Sequence, residues 1–249
     1  MKIKGLIFDF GFTLFHFKDV SVEKYLNCYR EGLTKSLEKL YDLKMLTNTN
    51  LRDEISKTFQ KKRAEYFKES IKTKNEYKTS LIFKETFEKY NIIELDDRIL
   101  DELANLFHSC ERDEWIPFQY TRETLKHLKN EKKIKLAVLS NHPHHATIES
   151  LLLKYDLRKF FDAVVTSAEY GKRKPDPGIF HYTIKKMGLK SPEYCMICGD
   201  EYADISGGNR AGLKTILCTR RFKFPFEKDI NNQEFIQIND ISEIIKYID

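Results

Sequence analysis

Five short apolar runs constrain the fold of this chain more than any other feature. They are Lys4–Phe10, Ile134–Ser140, Asp162–Ser167, Tyr194–Asp200 and Lys214–Thr219. Each run is too continuously apolar for a sheet that has one face in water. Helical patterns separate the later runs, with apolar residues spaced three and four apart, as at Ile148, Leu151 and Leu152. Buried strands that alternate with helices predict an α/β fold with a Rossmann-like, doubly wound parallel sheet.

The segment from Val20 to Trp115 breaks this alternation, because its apolar residues follow a helical period nearly throughout. It is too long for an ordinary crossover between parallel strands. We therefore predict an inserted α-helical cap subdomain at residues 19–115, standing over the carboxyl edge of the sheet. The core domain is predicted at residues 1–18 and 116–249, closed by a weaker sixth strand at Phe235–Ile238 and a last helix at Ile241–Tyr247.

Charge and hydropathy limit the partners of this chain. Its 43 basic residues are nearly balanced by 38 acidic ones, and the basic clusters lie beside acidic residues, so we predict no nucleic-acid partner. No apolar run approaches the ~18 residues needed to cross a bilayer, and the first ten residues lack the pattern of a signal peptide. We predict no membrane partner. The oligomeric state stays open.

The cysteines favour a cytoplasmic location. Five cysteines, an odd number, fit a reducing compartment better than a disulfide framework. Cys195 and Cys198 have CxxC spacing, but they lie in a predicted strand, where side chains three apart point to opposite faces. We interpret them as buried strand cysteines.

Polar residues at the ends of the predicted strands are the candidates for chemistry, since ligands of open parallel sheets bind beyond the carboxyl ends of the strands. These residues are Asp9, Thr13, Ser140, Asn141, Lys174, Asp200 and Asp204. Ser140, Asp176 and Asp204 could each be a helix cap. Capping does not explain the whole combination at one edge.

Four short motifs, in order, carry a family resemblance. They are "DFGFT", a strand ending in "SN", "KPDP", and "GDEYAD" followed by "GGNRAG". In these motifs the chain resembles the haloacid dehalogenase superfamily of aspartate-nucleophile hydrolases, over residues 8–18 and 116–220. The helical insertion lies where that family carries its helical, C1-type cap. The glycines of "GGNRAG" suit tight backbone turning.

The resemblance implies a Mg²⁺ site for phosphoryl chemistry. Asp9 would be both nucleophile and metal ligand, together with the Gly11 carbonyl and Asp200. Asp204 would be a further ligand or would orient water and Lys174. A cation is needed because a phosphoryl group and a carboxylate nucleophile repel each other, and Mg²⁺ prefers hard oxygen ligands.

The remaining predicted site residues surround this metal. Lys174 would hold Asp9 and the phosphate, and Ser140 with backbone N–H groups would bind the phosphate. Thr13 completes the predicted catalytic set. Asn141 and His16 are predicted to contact the substrate.

Gly11 departs from the pattern of the family's phosphatases, whose acid/base residue lies two positions after the nucleophile. Losing such a group typically costs ~10²–10⁴ in rate. Three routes remain: a good leaving group such as an acyl or aryl phosphate, a base from elsewhere, or slow turnover. Candidate bases are His16, His142, His144, His145 and Glu201. The histidine run is also typical of an exposed loop and the start of a helix. Glu201 is also typical of a residue that supports the metal ligands from behind or lies on the surface.

We predict a Mg²⁺-dependent phosphatase that acts on a small phosphorylated metabolite through an aspartyl-phosphate. One alternative is a 2-haloacid dehalogenase, which also lacks the acid/base residue. Dehalogenases of this family lack the acidic fourth motif, however, whereas Asp200 and Asp204 are present here. The other alternative is a catalytically weak protein that binds a metal or ligand. Specificity is assigned to the cap, with Tyr25, Tyr29, Arg30 and Tyr66 as candidates.

Overall fold

The computed structural model describes residues 2–19, 21–92, 95–220, 228–230 and 232–248, and the chain divides into two compact units. Residues 1–17 and 115–249 form one unit, which we call the core unit. Residues 18–114 form the other, the helical unit. Among the described residues, none of the helices has both the length and the apolar character needed to span a membrane.

All described strands lie in the core unit. They are β1 (Gly5–Phe8), β2 (Phe15–Phe17), β3 (Trp115–Pro117), β4 (Lys135–Ser140), β5 (Ala163–Thr166), β6 (Cys195–Gly199), β7 (Lys214–Cys218) and β8 (Ile236–Ile238). Six of them form a parallel sheet in the order β5-β4-β1-β6-β7-β8. The predicted Rossmann-like fold is therefore confirmed, including the weak sixth strand.

The described α-helices divide between the units, with α1–α5 in the helical unit and α6–α10 in the core unit. They are α1 (Val22–Asp42), α2 (Arg52–Thr73), α3 (Thr79–Glu88), α4 (Asp97–Phe107), α5 (Glu111–Glu114), α6 (Thr121–Asn130), α7 (His145–Lys154), α8 (Ser167–Tyr170), α9 (Pro177–Lys186) and α10 (Tyr202–Arg210). Short 3₁₀ turns lie at Thr49–Leu51, Arg158–Phe160, Pro192–Tyr194 and Ile241–Tyr247, the last being the predicted terminal helix.

The central strand β1 is buried on both faces, which explains its continuous apolar sequence. Leu6 and Phe8 pack in one apolar cluster with Val138, whereas Ile7 packs in a second cluster with Leu139. Alternate side chains of a strand point to opposite faces of the sheet. Because β4 and β6 flank β1, the loops that follow these three strands leave the sheet side by side.

The helical unit has an apolar core of its own. Leu33, Leu37 and Leu40 share one face of α1, as their spacing predicts, and all three are buried. The crossing of α1 and α4 is close, since a Cβ atom on Gly32 would lie 1.9 Å from the backbone oxygen of Phe107. Glycine at position 32 therefore permits this crossing.

A cavity of about 170 Å³ in the helical unit is lined by two of the four predicted specificity residues, Tyr29 and Arg30. Tyr66 instead donates a hydrogen bond to Glu85. The side chain of Tyr25 lies outside the described part of the structure.

A disulfide joins Cys28 to Cys110, with 5.5 Å between their Cα atoms. The expectation of a disulfide-free chain is therefore wrong for this pair. An odd cysteine count does not reveal that packing of α1 against α4 brings together two positions separated by 82 residues in sequence. Cys195 and Cys198 are free and buried strand cysteines, as predicted.

We expect the paired substitution Cys28→Ser/Cys110→Ser to lower the free energy of unfolding by about 4 kcal/mol, because the disulfide closes a long loop and so lowers the conformational entropy of the unfolded chain. Urea unfolding with and without reductant provides the measurement. Reductant should lower the stability of the wild type to that of the variant and leave the variant unchanged. Equal stability of the oxidised wild type and the variant would contradict this expectation.

Candidate active site

The predicted site residues follow neighbouring strands of the core unit. Asp9 comes directly after β1, Ser140 ends β4, and Asp200 directly follows β6. The backbone N–H of Asp9 donates to the carbonyl of Cys198 at 2.9 Å, which extends the pairing of β1 with β6 by one residue. Asp9, Ser140 and Asp200 are all buried. Register thus brings these polar groups to one edge of the sheet.

Lys174 is the cation at the centre of this cluster. Its Nζ donates to Asp9 Oδ1 at 2.6 Å, to Asp204 Oδ1 at 2.6 Å and to the carbonyl of Leu139 at 3.0 Å. Burial alone would lower the pKa of Lys174, but the carboxylates of Asp204 and Asp9 outweigh it and raise that pKa. Lys174 therefore stays protonated and fixes two carboxylates.

Asn141 holds the backbone of this lysine. Its Oδ1 accepts from the Lys174 N–H at 2.7 Å, and its Nδ2 donates to the Lys174 carbonyl at 3.1 Å. Both ends of the amide therefore contact Lys174, and the substrate contact of Asn141 stays a prediction. In the same loop Asp176 caps α9 by accepting from the Gly178 N–H, as the capping alternative anticipated.

Asp200 accepts hydrogen bonds from two side chains. Thr13 Oγ1 donates to its Oδ1 at 3.2 Å, and Arg220 Nε donates to its Oδ2 at 3.0 Å. Burial and the nearby Asp9 raise the pKa of Asp200, and Arg220 opposes them. Sequence reasoning missed Arg220, although it follows the end of β7 closely and the rule used for the other strand ends would have found it.

Asp204 lies in the first turn of α10. Its side chain accepts from the backbone N–H of Glu201, and the Glu201 side chain accepts from the backbone N–H of Asp204, which forms a capping box. Burial and, to a lesser extent, the nearby Asp9 raise the pKa of Asp204 to about 7, against the lowering effect of Lys174. Burial is also the main cause of a raised pKa at Glu201.

The glycines around the fourth motif serve close packing more than turning. A Cβ atom on Gly199 would lie 2.1 Å from Cγ of Asp204. Gly207 and Gly208 lie inside α10, where a Cβ atom would approach Phe180 and Ile197 to 2.5 and 2.4 Å. The prediction of tight turning is therefore wrong for Gly207 and Gly208.

Gly11, at the position of the missing acid/base residue, lies against an aromatic side chain. A Cβ atom on Gly11 would lie 3.1 Å from Cη2 of Trp115. Trp115 also packs against Phe12 and Phe17, with ring centroids 5.3 and 4.4 Å apart. The helical assignment of Trp115 is wrong, because it begins β3, which pairs antiparallel with β2. The indole thus lies where a side chain at position 11 would start.

Each candidate histidine base has a hydrogen-bond partner. His16 lies on β2, with Nδ1 2.9 Å from the Phe17 carbonyl oxygen and its ring 4.7 Å from that of Phe118. The Nδ1 atoms of the other three are hydrogen-bonded: His142 to the backbone of His144, His144 to Thr147, and His145 to Thr166. Residues 141–144 form a loop and His145 begins α7, which fits the interpretation of the histidine run as a loop and helix start.

The acidic cluster has the chemistry of a site for a hard divalent cation. One carboxylate oxygen from each of Asp9, Asp200 and Asp204 lies within 4.8 Å of the others, and all three side chains are buried. Buried carboxylates need compensating charge, and oxygen ligands are those that Mg²⁺ prefers. The residues present therefore fit this cation.

The parallel sheet, with carboxylates and a lysine clustered at its edge, is typical of a hydrolase built on an α/β core. A sequence model of the haloacid dehalogenase-like hydrolase family matches residues 40–218. The chain belongs to this family, as its motifs predicted.

Two curated relatives and one solved structure show the range of similarity. A glyceraldehyde 3-phosphate phosphatase of Methanothermobacter thermautotrophicus is 36% identical over 135 residues, which span 51% of this chain and 57% of that protein. One from Methanocaldococcus jannaschii is 25% identical over 250 residues, covering 99% of this chain and 97% of that protein. The 2-haloacid dehalogenase of Pseudomonas syringae has the same fold, with a TM-score of 0.66 at 18% identity and coverage of 98% and 97%.

Proposed function

We propose that this protein is a Mg²⁺-dependent phosphatase that acts on a small phosphorylated metabolite through an aspartyl-phosphate at Asp9. The observation that carries the proposal is the buried hydrogen bond between Lys174 and Asp9. The carboxylates of Asp9, Asp200 and Asp204 also lie close enough together to bind one metal ion. The names of the two curated relatives support phosphate esters as the substrate class.

Asp9 is the nucleophile in this proposal. Its carboxylate oxygen forms a bond to phosphorus while the bond from phosphorus to the leaving oxygen breaks. Water then attacks the aspartyl-phosphate, which releases inorganic phosphate and regenerates the carboxylate. Lys174 orients Asp9 through Oδ1 and offsets the negative charge of the phosphoryl oxygens. Ser140, buried at the end of β4, is assigned to the phosphate, and Thr13 to the orientation of Asp200.

Asp9, Asp200 and the Gly11 carbonyl would hold Mg²⁺, with Asp204 as a further ligand or as the residue that orients water and Lys174. When bound, the cation supplies electrostatic stabilisation of the charge on the phosphoryl group. We assign Asn141 to positioning Lys174, on the strength of its two bonds to the lysine backbone. We also propose that residues 19–115 form a cap domain, of the helical type, on a core of residues 1–18 and 116–249.

Phosphate release tests this function directly. p-Nitrophenyl phosphate, acetyl phosphate, glyceraldehyde 3-phosphate and phosphoglycolate would be assayed with Mg²⁺ and with EDTA. Release that requires Mg²⁺ supports the phosphatase. Halide release from a 2-haloacid in the presence of EDTA would favour the dehalogenase, and metal binding without either product would favour a binding protein.

The absence of an acid/base side chain at Gly11 predicts that the rate depends strongly on the leaving group. We expect aryl and acyl phosphates to be hydrolysed at least about 10²-fold faster than alkyl phosphates, because position 11 has no acid to protonate an alkoxide. Gly11→Asp should raise alkyl phosphate hydrolysis about tenfold or more and change aryl phosphate hydrolysis little. Trp115→Phe in the same chain gives the new carboxylate room, since the indole contact at 3.1 Å is tight.

Steady-state kinetics on both ester classes provides the measurement, with Trp115→Phe alone as the control. Equal wild-type rates on alkyl and aryl phosphates would contradict the expectation and indicate an acid supplied from elsewhere.

A further inference from the structure

One ion pair at the site has no part in the proposed chemistry. We propose that Arg220 is an internal counter-cation that stabilises Asp200 in the metal-free protein and competes with the divalent cation for that carboxylate. This inference rests on the proposed Mg²⁺ site.

The geometry of the pair supports a role inside the site. Arg220 Nε lies 3.0 Å from Asp200 Oδ2, and the two side chains are 7% and 3% exposed. Exposed ion pairs contribute little, but a buried carboxylate requires a compensating charge. Thr13 donates to the other oxygen of Asp200, so both of its oxygens accept a hydrogen bond.

Lys174 and Arg220 differ in how a bound metal ion would affect their contacts. The Lys174 ammonium bonds to two carboxylates and to the carbonyl of Leu139, and the reaction needs it beside Asp9. Arg220 reaches the cluster through Asp200, on the side of β7. Its guanidinium carbon also lies 6.0 Å from the ring centroid of Phe12, which offers a second favourable contact when Asp200 turns to a metal.

Charge decides the direction of the effect. A divalent cation and a guanidinium that share one carboxylate repel each other, and the repulsion is strong where water is excluded. In the metal-free protein Arg220 offsets the charge of Asp200, whereas in the metal-bound protein the cation does so. Removing the positive charge at position 220 should therefore destabilise the metal-free protein more than the metal-bound one. By linkage, the variant binds the metal more tightly.

The experiment measures Mg²⁺ binding by titration calorimetry and the Tm in EDTA and in Mg²⁺. Arg220→Gln keeps a hydrogen-bonding side chain and removes the charge, and Arg220→Lys keeps the charge. The matched control is Arg122→Gln, which removes the charge of an exposed guanidinium that pairs with Asp156 and donates to the carbonyls of Tyr155 and Asp156. We expect Arg220→Gln to lower the Kd for Mg²⁺ about tenfold. Substitutions around a metal's ligands typically change affinity by about this factor by weakening it, and the sign is opposite here because Arg220 competes with the metal. Its Tm should fall in EDTA and recover in Mg²⁺, whereas Arg122→Gln should bind Mg²⁺ with the wild-type Kd and change the Tm equally in EDTA and in Mg²⁺.

Arg220→Lys decides the matter if Arg220→Gln does not fold in EDTA. Its Kd for Mg²⁺ should lie between those of the wild type and the glutamine variant, because an ammonium lacks the fixed guanidinium fork. If Arg220→Gln folds and binds Mg²⁺ no more tightly than the wild type, the proposal is overturned. If Arg220→Gln does not fold, the same result for Arg220→Lys overturns it. A wild type that binds no Mg²⁺ overturns the proposed metal site as well. Mg²⁺ binding without phosphate release overturns the phosphatase and leaves the role of Arg220 standing.

Discussion

Asp9→Asn is expected to lower phosphate release from p-nitrophenyl phosphate by about 10³-fold or more, because an amide does not form the aspartyl-phosphate. The amide oxygen can still accept from Lys174 Nζ, which donates to Asp9 Oδ1 in the wild type. The variant should therefore fold, so that loss of activity reports chemistry and not loss of structure. Single-turnover phosphate release at saturating Mg²⁺ provides the measurement.

Asp176→Asn is the matched control for this substitution. Asp176 lies two residues after Lys174 and caps α9, and asparagine is an equally good N-cap. We expect this variant to keep wild-type activity. Comparable activity of Asp9→Asn and the wild type would exclude Asp9 as the nucleophile and remove the basis of the proposed mechanism.

The fold follows from the sequence because five strands of the parallel sheet, all except the edge strand β8, are largely buried on both faces. Such strands read as continuous apolar runs, and their ends fall at the polar residues that mark the site. Asp9, Lys174, Asp200 and Asp204 therefore gather at one edge because the strands are parallel, and the sequence pattern already predicts a parallel sheet. The strands β2 and β3 were not predicted, because a strand of three residues shows too little alternation to be recognised; β8, of the same length, was predicted only as a weak strand.

Contacts between distant positions were harder to predict. Trp115 packs on Gly11, and Cys28 bonds to Cys110, although neither pair is close in sequence. Local pattern encodes the element in which a residue lies, but not which side chain of a distant element it meets. The sequence shows only that position 11 lacks a carboxylate, and the structure adds that Trp115 lies against it.

Polar residues near the site have partners that residue type alone does not reveal. Asn141 lies at the strand end expected of a substrate ligand, yet its amide bonds to the backbone of Lys174. Arg220 was available to the same reasoning that found Asp9 and Asp200, since it follows a strand of the same sheet. Its ion pair with Asp200 depends on β7 lying next to β6, which the sequence does not specify.

Lys174→Met should destabilise the protein by about 3–5 kcal/mol in EDTA, because it leaves buried carboxylates without their cation. Asp9 and Asp204 both accept from Lys174 Nζ at 2.6 Å, and both side chains are buried. Methionine has a similar volume, so a cavity contributes little to the loss. Urea unfolding in EDTA provides the measurement.

Lys172→Met is the control, since Lys172 is half exposed and lies 3.5 Å from Asp176 in an ion pair of the surface type. Such pairs contribute ~0–1 kcal/mol. A loss at position 174 no larger than that at position 172 would show that the buried carboxylates are compensated by other groups.

The cost of Lys174→Met should depend on pH in a defined direction. In the wild type, burial raises the pKa of Asp204 to about 7 although Lys174 lowers it, so the folded state binds more protons than the unfolded state between about pH 4 and 7. Stability from that proton is present below the ordinary pKa of an aspartate and is lost as the pH rises through the folded pKa. Without Lys174 the pKa of Asp204 rises further. We therefore expect the difference in free energy of unfolding between the wild type and the variant to be largest near about pH 8 and to decrease toward about pH 5. A difference that increases on acidification would mean that Lys174 does not compensate the charge of Asp204.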